Sequence, residues 1–388
     1  LTLLLTFLGA EAQNTISLAG DWRISFKGKE GHVNTKIKLP GSMLTNNLGD
    51  KVSVDTKWTG SLYDSSYYHN PAMEIYRHEG KMKFPFFLTP SKHFTGYADY
   101  TRSVTVPKEW KKKRIILHLE RPHIETTLYV NGQKAGRQNS LCVPHEYDVT
   151  SWLKPGRNQL SLRIDNRLDV APVGQDSHSV TDQTQGDWNG VVGRIELRRV
   201  SATRIVQTDV YPNVKDSEAK VRYIIEGKAG ETIRLTLKAD AYNTLTPHSL
   251  DAVTFDKQLR QGRDTIEVRL SMGDDVQLWD EFQPTLYRLE TSLASVTLNK
   301  KRIAVGQQDL GQTITTFGMR EFTIDGTMFR CNGREVQLRG TVENCDFPLT
   351  GYAPMEVDEW LKVFRTCREW GLNHMRFHSY CPPEAAFV

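Results

Sequence analysis

From residue 178 the chain reads His178-Ser-Val-Thr-Asp182-Gln-Thr-Gln185-Gly-Asp187-Trp188-Asn189-Gly190. An indole face can stack on the apolar C–H face of a sugar ring, while carboxylate and carboxamide groups bind its hydroxyls in fixed geometry. Taken singly, these residues also read as loop plugs and turn formers. As a segment they read as a ligand-facing loop. A second stretch of the same character, residues 41–93, holds Trp-Thr-Gly-Ser-Leu-Tyr at 58–63 and Phe-Pro-Phe-Phe-Leu-Thr-Pro at 84–90. Structureless runs this long are uncommon in compact domains unless they line a site.

Such loops need a rigid frame, and the flanking sequence predicts one made of strands. From about residue 14 to 200, β-rich runs recur at 16–26, 100–106, 114–119, 126–130 and 159–165, several of them with period two. Val130-Asn131-Gly132-Gln133 predicts a tight hairpin, because both central positions tolerate positive φ. Short strands with this punctuation indicate a β-sandwich. A second block, about 201–316, carries roughly seven more strand signals, the count of an immunoglobulin-like β-sandwich. Nothing titratable clusters there, so its expected work is architectural.

After residue 317 the pattern changes. Phe329-Arg-Cys-Asn-Gly-Arg334 predicts a hairpin and Val336-Gln-Leu-Arg339 a short strand. Trp360, Val363, Phe364, Cys367 and Trp370 fall at helical spacing, with Asp358 as N-terminal cap and Gly371 as stop. Met375-Arg376-Phe377-His378 then ends a second strand. A β-α-β start of this kind opens a (β/α)8 barrel, whose active site lies at the C-terminal ends of its strands. Further parallel strands are expected beyond Val388.

Composition excludes several classes. Charge is mixed at a formal +4 over 388 residues, and the densest basic run, Lys111-Lys-Lys-Arg114, reads as a solvated strand edge. Nucleic acid is therefore not an expected partner. The five cysteines are widely spaced without CxxC pairing, which argues against a zinc site. The opening Leu-Thr-Leu-Leu-Leu-Thr-Phe-Leu, followed by Ala10-Glu-Ala12, matches the end of a secretory signal and its cleavage site. It is too short to span a bilayer. The expected location is secreted or periplasmic.

Several motifs in order carry a resemblance. Trp-x-x-x-x-Pro-x-Leu-Tyr at 279–287, Phe-Gly-Met-Arg-Glu-Phe at 317–322, Leu-Arg-Gly at 338–340 and Asn373-His-Met-Arg376 are similar to glycoside hydrolase family 2, which includes β-galactosidases, β-glucuronidases and β-mannosidases. Leu-Tyr-Val-Asn-Gly at 128–132, Tyr-Asp-Val-Thr at 147–150 and Gly193-Arg-Ile-Glu-Leu197 resemble that family's sugar-binding sandwich. The resemblance implies a jelly-roll-like β-sandwich over 13–200 behind a signal remnant at 1–12. It then implies an immunoglobulin-like β-sandwich over 201–316 and the first strands of a TIM barrel, incomplete, over 317–388.

It also implies exo-acting hydrolysis with retention, using two glutamates about 5 Å apart on later barrel strands. Neither glutamate is expected in this chain, so no catalytic residue is assigned. Glu343 is on the wrong strand, and Glu356, Glu359 and Glu384 fall in loop or helix. The supporting site carries over residue by residue. Arg376 matches a strand-end arginine that would orient a catalytic carboxylate and lower its pKa. His378 resembles a nearby hydroxyl-binding histidine, although Arg-Phe-His-Ser-Tyr-Cys-Pro-Pro departs from the family's Arg-x-x-His-Tyr-Pro. Trp188, with Asp187 or Asn189, resembles the sandwich loop that closes the terminal sugar subsite. The chemistry needs no cofactor and no metal. The expected partner is an oligosaccharide or polysaccharide, cleaved by a β-galactosidase-like activity, with β-glucuronidase or β-mannosidase specificity as alternatives. The competing reading is a non-catalytic carbohydrate-binding protein, against which stands the unpaired parallel edge such a chain would expose.

Overall fold

The computed structural model describes residues 14–387 apart from 54–55, 59–69, 79, 82–89, 175–176, 181–185 and 302. The expected signal segment, Asp182 and Gln185 lie outside the described residues, as does most of the two aromatic runs at 58–63 and 84–90. The chain divides into two compact units, one of Leu1–Val200 with Arg339–Val388 and one of Ser201–Leu338.

In the first unit, two antiparallel sheets form a sandwich. One has six strands in the order Gln133–Asn139, Glu125–Val130, Gly156–Asp165, Tyr97–Val106, Gly20–Gly28 and Gly31–Leu39. The other runs Thr15–Ser17, Gly190–Val200, Arg114–His123 and His145–Asp148, with the short strand Gly41–Ser42 also paired to Gly190–Val200. Period-two alternation explains the core. Trp22, Ile24 and Phe26 point inward while Arg23 and Lys27 face solvent, and Leu160, Leu162 and Ile164 alternate with Arg163 in the same way. Each such apolar side chain contributes about 1.5–3 kcal/mol on burial. The Asn131–Gly132 hairpin forms as its residue types predict, with φ of 52° and 83° and Gln133 opposite Val130. Lys111, Lys112 and Lys113 are exposed after Trp110, which turns into the core.

The strand Arg114–His123 breaks the alternation. It lies between Gly190–Val200 and His145–Asp148, and from Ile115 to Leu119 every side chain is buried. Its last residue, His123, is a buried polar side chain that the apolar pattern does not announce.

The second unit stacks a three-stranded sheet (Arg204–Asn213, Glu218–Glu226, Arg263–Ser271) and a four-stranded one (Val253–Gln258, Thr232–Tyr242, Leu286–Leu298, Ala304–Phe317). Val221, Tyr223, Leu235, Leu237, Tyr287 and Leu289 fill the space between them. A meander, Phe322–Asp325, Met328–Cys331 and Arg334–Val336, follows in the same unit and contains the expected hairpin at Asn332–Gly333.

Residues 339–387 rejoin the first unit. Here Gly340–Glu343 pairs in parallel with His374–Phe377 across the helix Val357–Glu369. Two local expectations shift. The strand predicted at 336–339 begins instead at Gly340, opposite His374; the Arg339 carbonyl accepts the Asn373 N–H (2.9 Å), but the Arg339 N–H donates to Asn373 Oδ1 (2.8 Å) and so to a side chain. The helix cap is Glu356, not Asp358. Glu356 makes no side-chain cap bond, and Asp358 and Glu359 sit in the first turn, where their charge complements the helix dipole. Gly371, at φ 75°, follows the last turn as the predicted stop. Of the apolar stripe, Trp360 is fully buried against Phe364 and Phe377, with its indole N–H on the Pro354 carbonyl, while Trp370 is 82% exposed. Among the described residues no helix is long and apolar enough to cross a membrane.

Candidate functional site

The approach of Gly190 to Gly41 sets the position of the aromatic loop. Gly190 pairs with both Ser42 and His123, and a Cβ there would lie 2.3 Å from the Gly41 carbonyl oxygen. Only glycine permits this approach, and it delivers residues 186–189 to the sheet end beside His123.

Asn189 turns into the sandwich. Tyr100 donates its hydroxyl to Asn189 Oδ1 at 2.7 Å, and the Asn189 amide donates to the carbonyls of Ile164 (3.1 Å) and Gly96 (3.2 Å) and to Asn166 Oδ1 (3.1 Å). At 1% exposure the carboxamide is occupied by protein partners, so in this structure it offers no group to a substrate. Burial also raises the Tyr100 phenol far above its ordinary pKa, which keeps it a donor.

Asp187 is buried too. Thr95 donates to its Oδ2 at 3.2 Å, and its Oδ1 lies 3.2 Å from His123 Nε2. The Trp188 ring stacks on His123, with centroids 4.9 Å apart and planes 12° from parallel, and meets Tyr352 at 5.5 Å and 54°. Tyr352 reaches Trp188 because Gly351, at φ 85°, has no Cβ; one there would stand 2.8 Å from Trp188 Cβ. The Ser42 hydroxyl donates to the Thr350 carbonyl at 2.6 Å and fixes the same turn from the sandwich side.

The strand end lies beside this loop. The His378 N–H donates to the Glu343 carbonyl at 2.8 Å, which prolongs the parallel ladder. The His378 ring is 5.5 Å from that of His178, and the Ser179 hydroxyl donates to the Ser379 carbonyl. The Arg121 guanidinium bridges the carbonyls of Cys142 and Pro382 at 3.2 Å each. Arg376 alternates with Phe377, which packs on Trp360, so Arg376 occupies the sheet face away from the helix. It is exposed and has no ion-pair partner among the described residues. The structure therefore gathers His378, Trp188 and Asp187 into one region and leaves Arg376 on the open face of the adjacent strand.

Two participants carry no sequence signal, His123 and Tyr352, and a third, Glu343, was set aside as a catalytic candidate. An alternation count would have placed His123 on a strand, but not opposite a carboxylate. Glu343 Oε1 accepts the Cys345 N–H at 2.8 Å, and its Oε2 is buried without a hydrogen-bond partner among the described residues. Burial and the nearby Asp346 charge raise its pKa. Burial likewise pushes the Cys345 thiol up to about 12, so it is a protonated, unreactive side chain. A cavity of about 50 Å³ is lined by Arg121, His123, Trp188, Cys345, Tyr352 and Tyr380, and a larger hollow of about 590 Å³ lies beside Asp346, Tyr352, Met355, Glu356 and Glu359. Among the described residues no three His, Cys, Asp or Glu side chains converge as a metal site. Trp188, expected to face the ligand, is instead buried against His123 and Tyr352, so the region can present the Tyr352 ring, the His378 imidazole and the Arg376 guanidinium to a polyhydroxyl ligand.

Known proteins are similar to this chain in sequence and architecture. Residues 15–200 match the family described as glycosyl hydrolases family 2, sugar binding domain, and residues 203–306 that described as glycosyl hydrolases family 2. A β-galactosidase of Priestia megaterium is 22% identical over 374 residues, covering 94% of this chain and 34% of the relative. A β-galactosidase of Thermoanaerobacter pseudethanolicus is 25% identical over 314 residues, covering 79% and 39%. The crystal structure of Bacteroides uniformis β-glucuronidase superposes with a TM-score of 0.65 at 22% identity, over 96% of this chain and 40% of that one. The Ruminococcus gnavus β-glucuronidase gives 0.64 at 16% identity, over 96% and 57%. At these identities the structural likeness is one of fold. The chain spans between 26% and 39% of the length of the curated relatives it matches.

Proposed function

Because the chain belongs to glycosyl hydrolase family 2, we propose that it forms part of a secreted or periplasmic exo-β-glycosidase. The enzyme removes terminal β-linked sugars from oligosaccharides or polysaccharides with retention of anomeric configuration. The leading specificity is β-galactosidase-like, with β-glucuronide and β-mannoside as the alternatives. The observation that supports this reading is the contact of His178 and Ser179 with the strand-end segment, through the His178–His378 ring contact and the Ser179–Ser379 hydrogen bond. Aromatic loop and strand end thereby share one rim.

In this reading His374–Phe377 is an early strand of a catalytic barrel, and the open face that bears Arg376 is its interior. Two glutamates on later strands perform the chemistry. One protonates the departing glycosidic oxygen while the other attacks the anomeric carbon, and water then releases the covalent glycosyl-enzyme with the first acting as base. The Arg376 guanidinium orients one of these carboxylates and holds it ionised. His378 binds the terminal sugar from the rim, and the buried Trp188, Asp187 and Asn189 hold the loop from behind. This mechanism needs no cofactor.

The test uses the full-length protein and a panel of aryl β-galactoside, β-glucuronide and β-mannoside. One should be hydrolysed, with the β-anomer appearing first by proton NMR. Arg376→Ala should lower kcat/KM by about 10²–10³-fold, while Lys113→Ala, in an exposed turn, leaves it unchanged. Equal losses in the two variants would remove Arg376 from the site. Sugar binding without turnover by the wild type would make the protein a carbohydrate-binding one instead.

A further inference from the structure

We propose that His123 is the positioning residue of the terminal-sugar loop: its imidazole carries Trp188 by stacking and Asp187 by a polar pair, and it touches no substrate. This rests on the reading that the 178–188 segment closes a sugar subsite.

The argument begins with register. His123 ends the strand Arg114–His123 directly opposite Gly190, so the residues before Gly190 pass over its ring. At 6% exposure the imidazole is inside the protein. Its face lies against the indole at 4.9 Å and 12°, and its Nε2 faces Asp187 Oδ1 at 3.2 Å. The Asp187 side chain is 1% exposed, and its other oxygen already accepts from Thr95. The two groups meet as a close polar pair inside the protein, at 3.2 Å but without hydrogen-bond geometry between Nε2 and Oδ1. A single ring thus holds two consecutive loop residues, one by its face and one by its edge.

The surroundings explain why the role is indirect. The cavity that His123 shares with Arg121, Trp188, Tyr352 and Tyr380 is about 50 Å³. That is room for a few waters and less than a sugar ring occupies. Substrate can reach the outer side of the loop, while His123 supports it from inside. Loss of such a support weakens ground-state and transition-state binding alike, so it should appear in KM more than in kcat.

The experiment uses the full-length protein with 5-fluorotryptophan incorporated and the Trp188 resonance assigned by Trp188→Phe. His123→Gln keeps an amide donor but loses the stacked ring. It should shift the Trp188 ¹⁹F resonance, raise KM about tenfold and leave kcat within about twofold. His123→Phe combined with Asp187→Asn restores a stacking ring while removing the polar pair, and should return the Trp188 resonance toward its wild-type position. If His123→Gln fails to fold, the double variant decides alone. A Trp188 resonance unchanged in His123→Gln, or displaced in the double variant to the same extent as in Trp188-exposed denatured protein, would overturn the proposal. The ¹⁹F readout needs no turnover, so a wild type inactive on every glycoside would sink the functional reading while still deciding the role of His123.

Discussion

Asn189 shows what a residue type does and does not predict. Its carboxamide had to be hydrogen-bonded, but its partners are Tyr100, Gly96, Ile164 and Asn166, all within the sandwich. His145 is a second polar group in that interior. Its Nδ1 lies 2.6 Å from Thr126 Oγ1, and burial holds its pKa down to about 4, partly opposed by a backbone hydrogen bond at Ser140 and the Glu125 charge. The sign of the consequence follows directly. The folded state holds His145 neutral, whereas the unfolded chain protonates it below about 6.5. Its contribution is therefore intact above about 6.5 and is lost as pH falls toward 4, by about 3 kcal/mol in all. Urea unfolding at pH 7, 5.5 and 4.5 should show a steep loss in the wild type and a flatter one in His145→Gln. Parallel losses in both would assign the acid sensitivity to other groups.

At the scale of elements, close backbone approach decides the loop's position. Gly190 lies at φ 155° with a notional Cβ 2.3 Å from Gly41 O and 2.8 Å from Ser42 Cα, both backbone atoms that cannot swing aside. Gly190→Ala should cost about 3 kcal/mol or more and loosen the start of Gly190–Val200. Gly132 also has positive φ, at 83°, but nothing lies within 4 Å of its Cβ position. Gly132→Ala should therefore cost only about 1 kcal/mol. Comparable midpoint shifts for the two variants in thermal melts would contradict the steric account. The strand ending at His378 was legible because its apolar residues follow a helix with a clear stop. Its partner's start falls at Gly340, where the Arg339 carbonyl accepts the Asn373 N–H while the Arg339 N–H goes to the Asn373 side chain, a contact that no periodicity encodes.

At the scale of the whole molecule, the two units have separate cores. Leu235 is fully buried in the second. Leu235→Ala should cost about 2–5 kcal/mol. By hydrogen exchange, the lost protection should be confined to strands between residues 204 and 317. Loss spreading equally through Gly20–Gly28 and Gly156–Asp165 would mean that the cores unfold as one.

Local chemistry by itself determined the strands, the Asn-Gly turns, the helix stop and the ordered motifs that carry the family resemblance, because period-two burial and positive-φ turns are properties of neighbouring residues. The same local chemistry marked Trp188 and the strand end at His378 as one kind of material. Only the tertiary structure decided which of those side chains face outward. Asn189 and Asp187 were claimed by hydrogen-bond partners 23 to 92 positions away, and Trp188 came to rest on His123 and Tyr352. Contacts between residues so distant in sequence depend on the packing of two sheets and a returning β-α-β segment, and no local pattern records them.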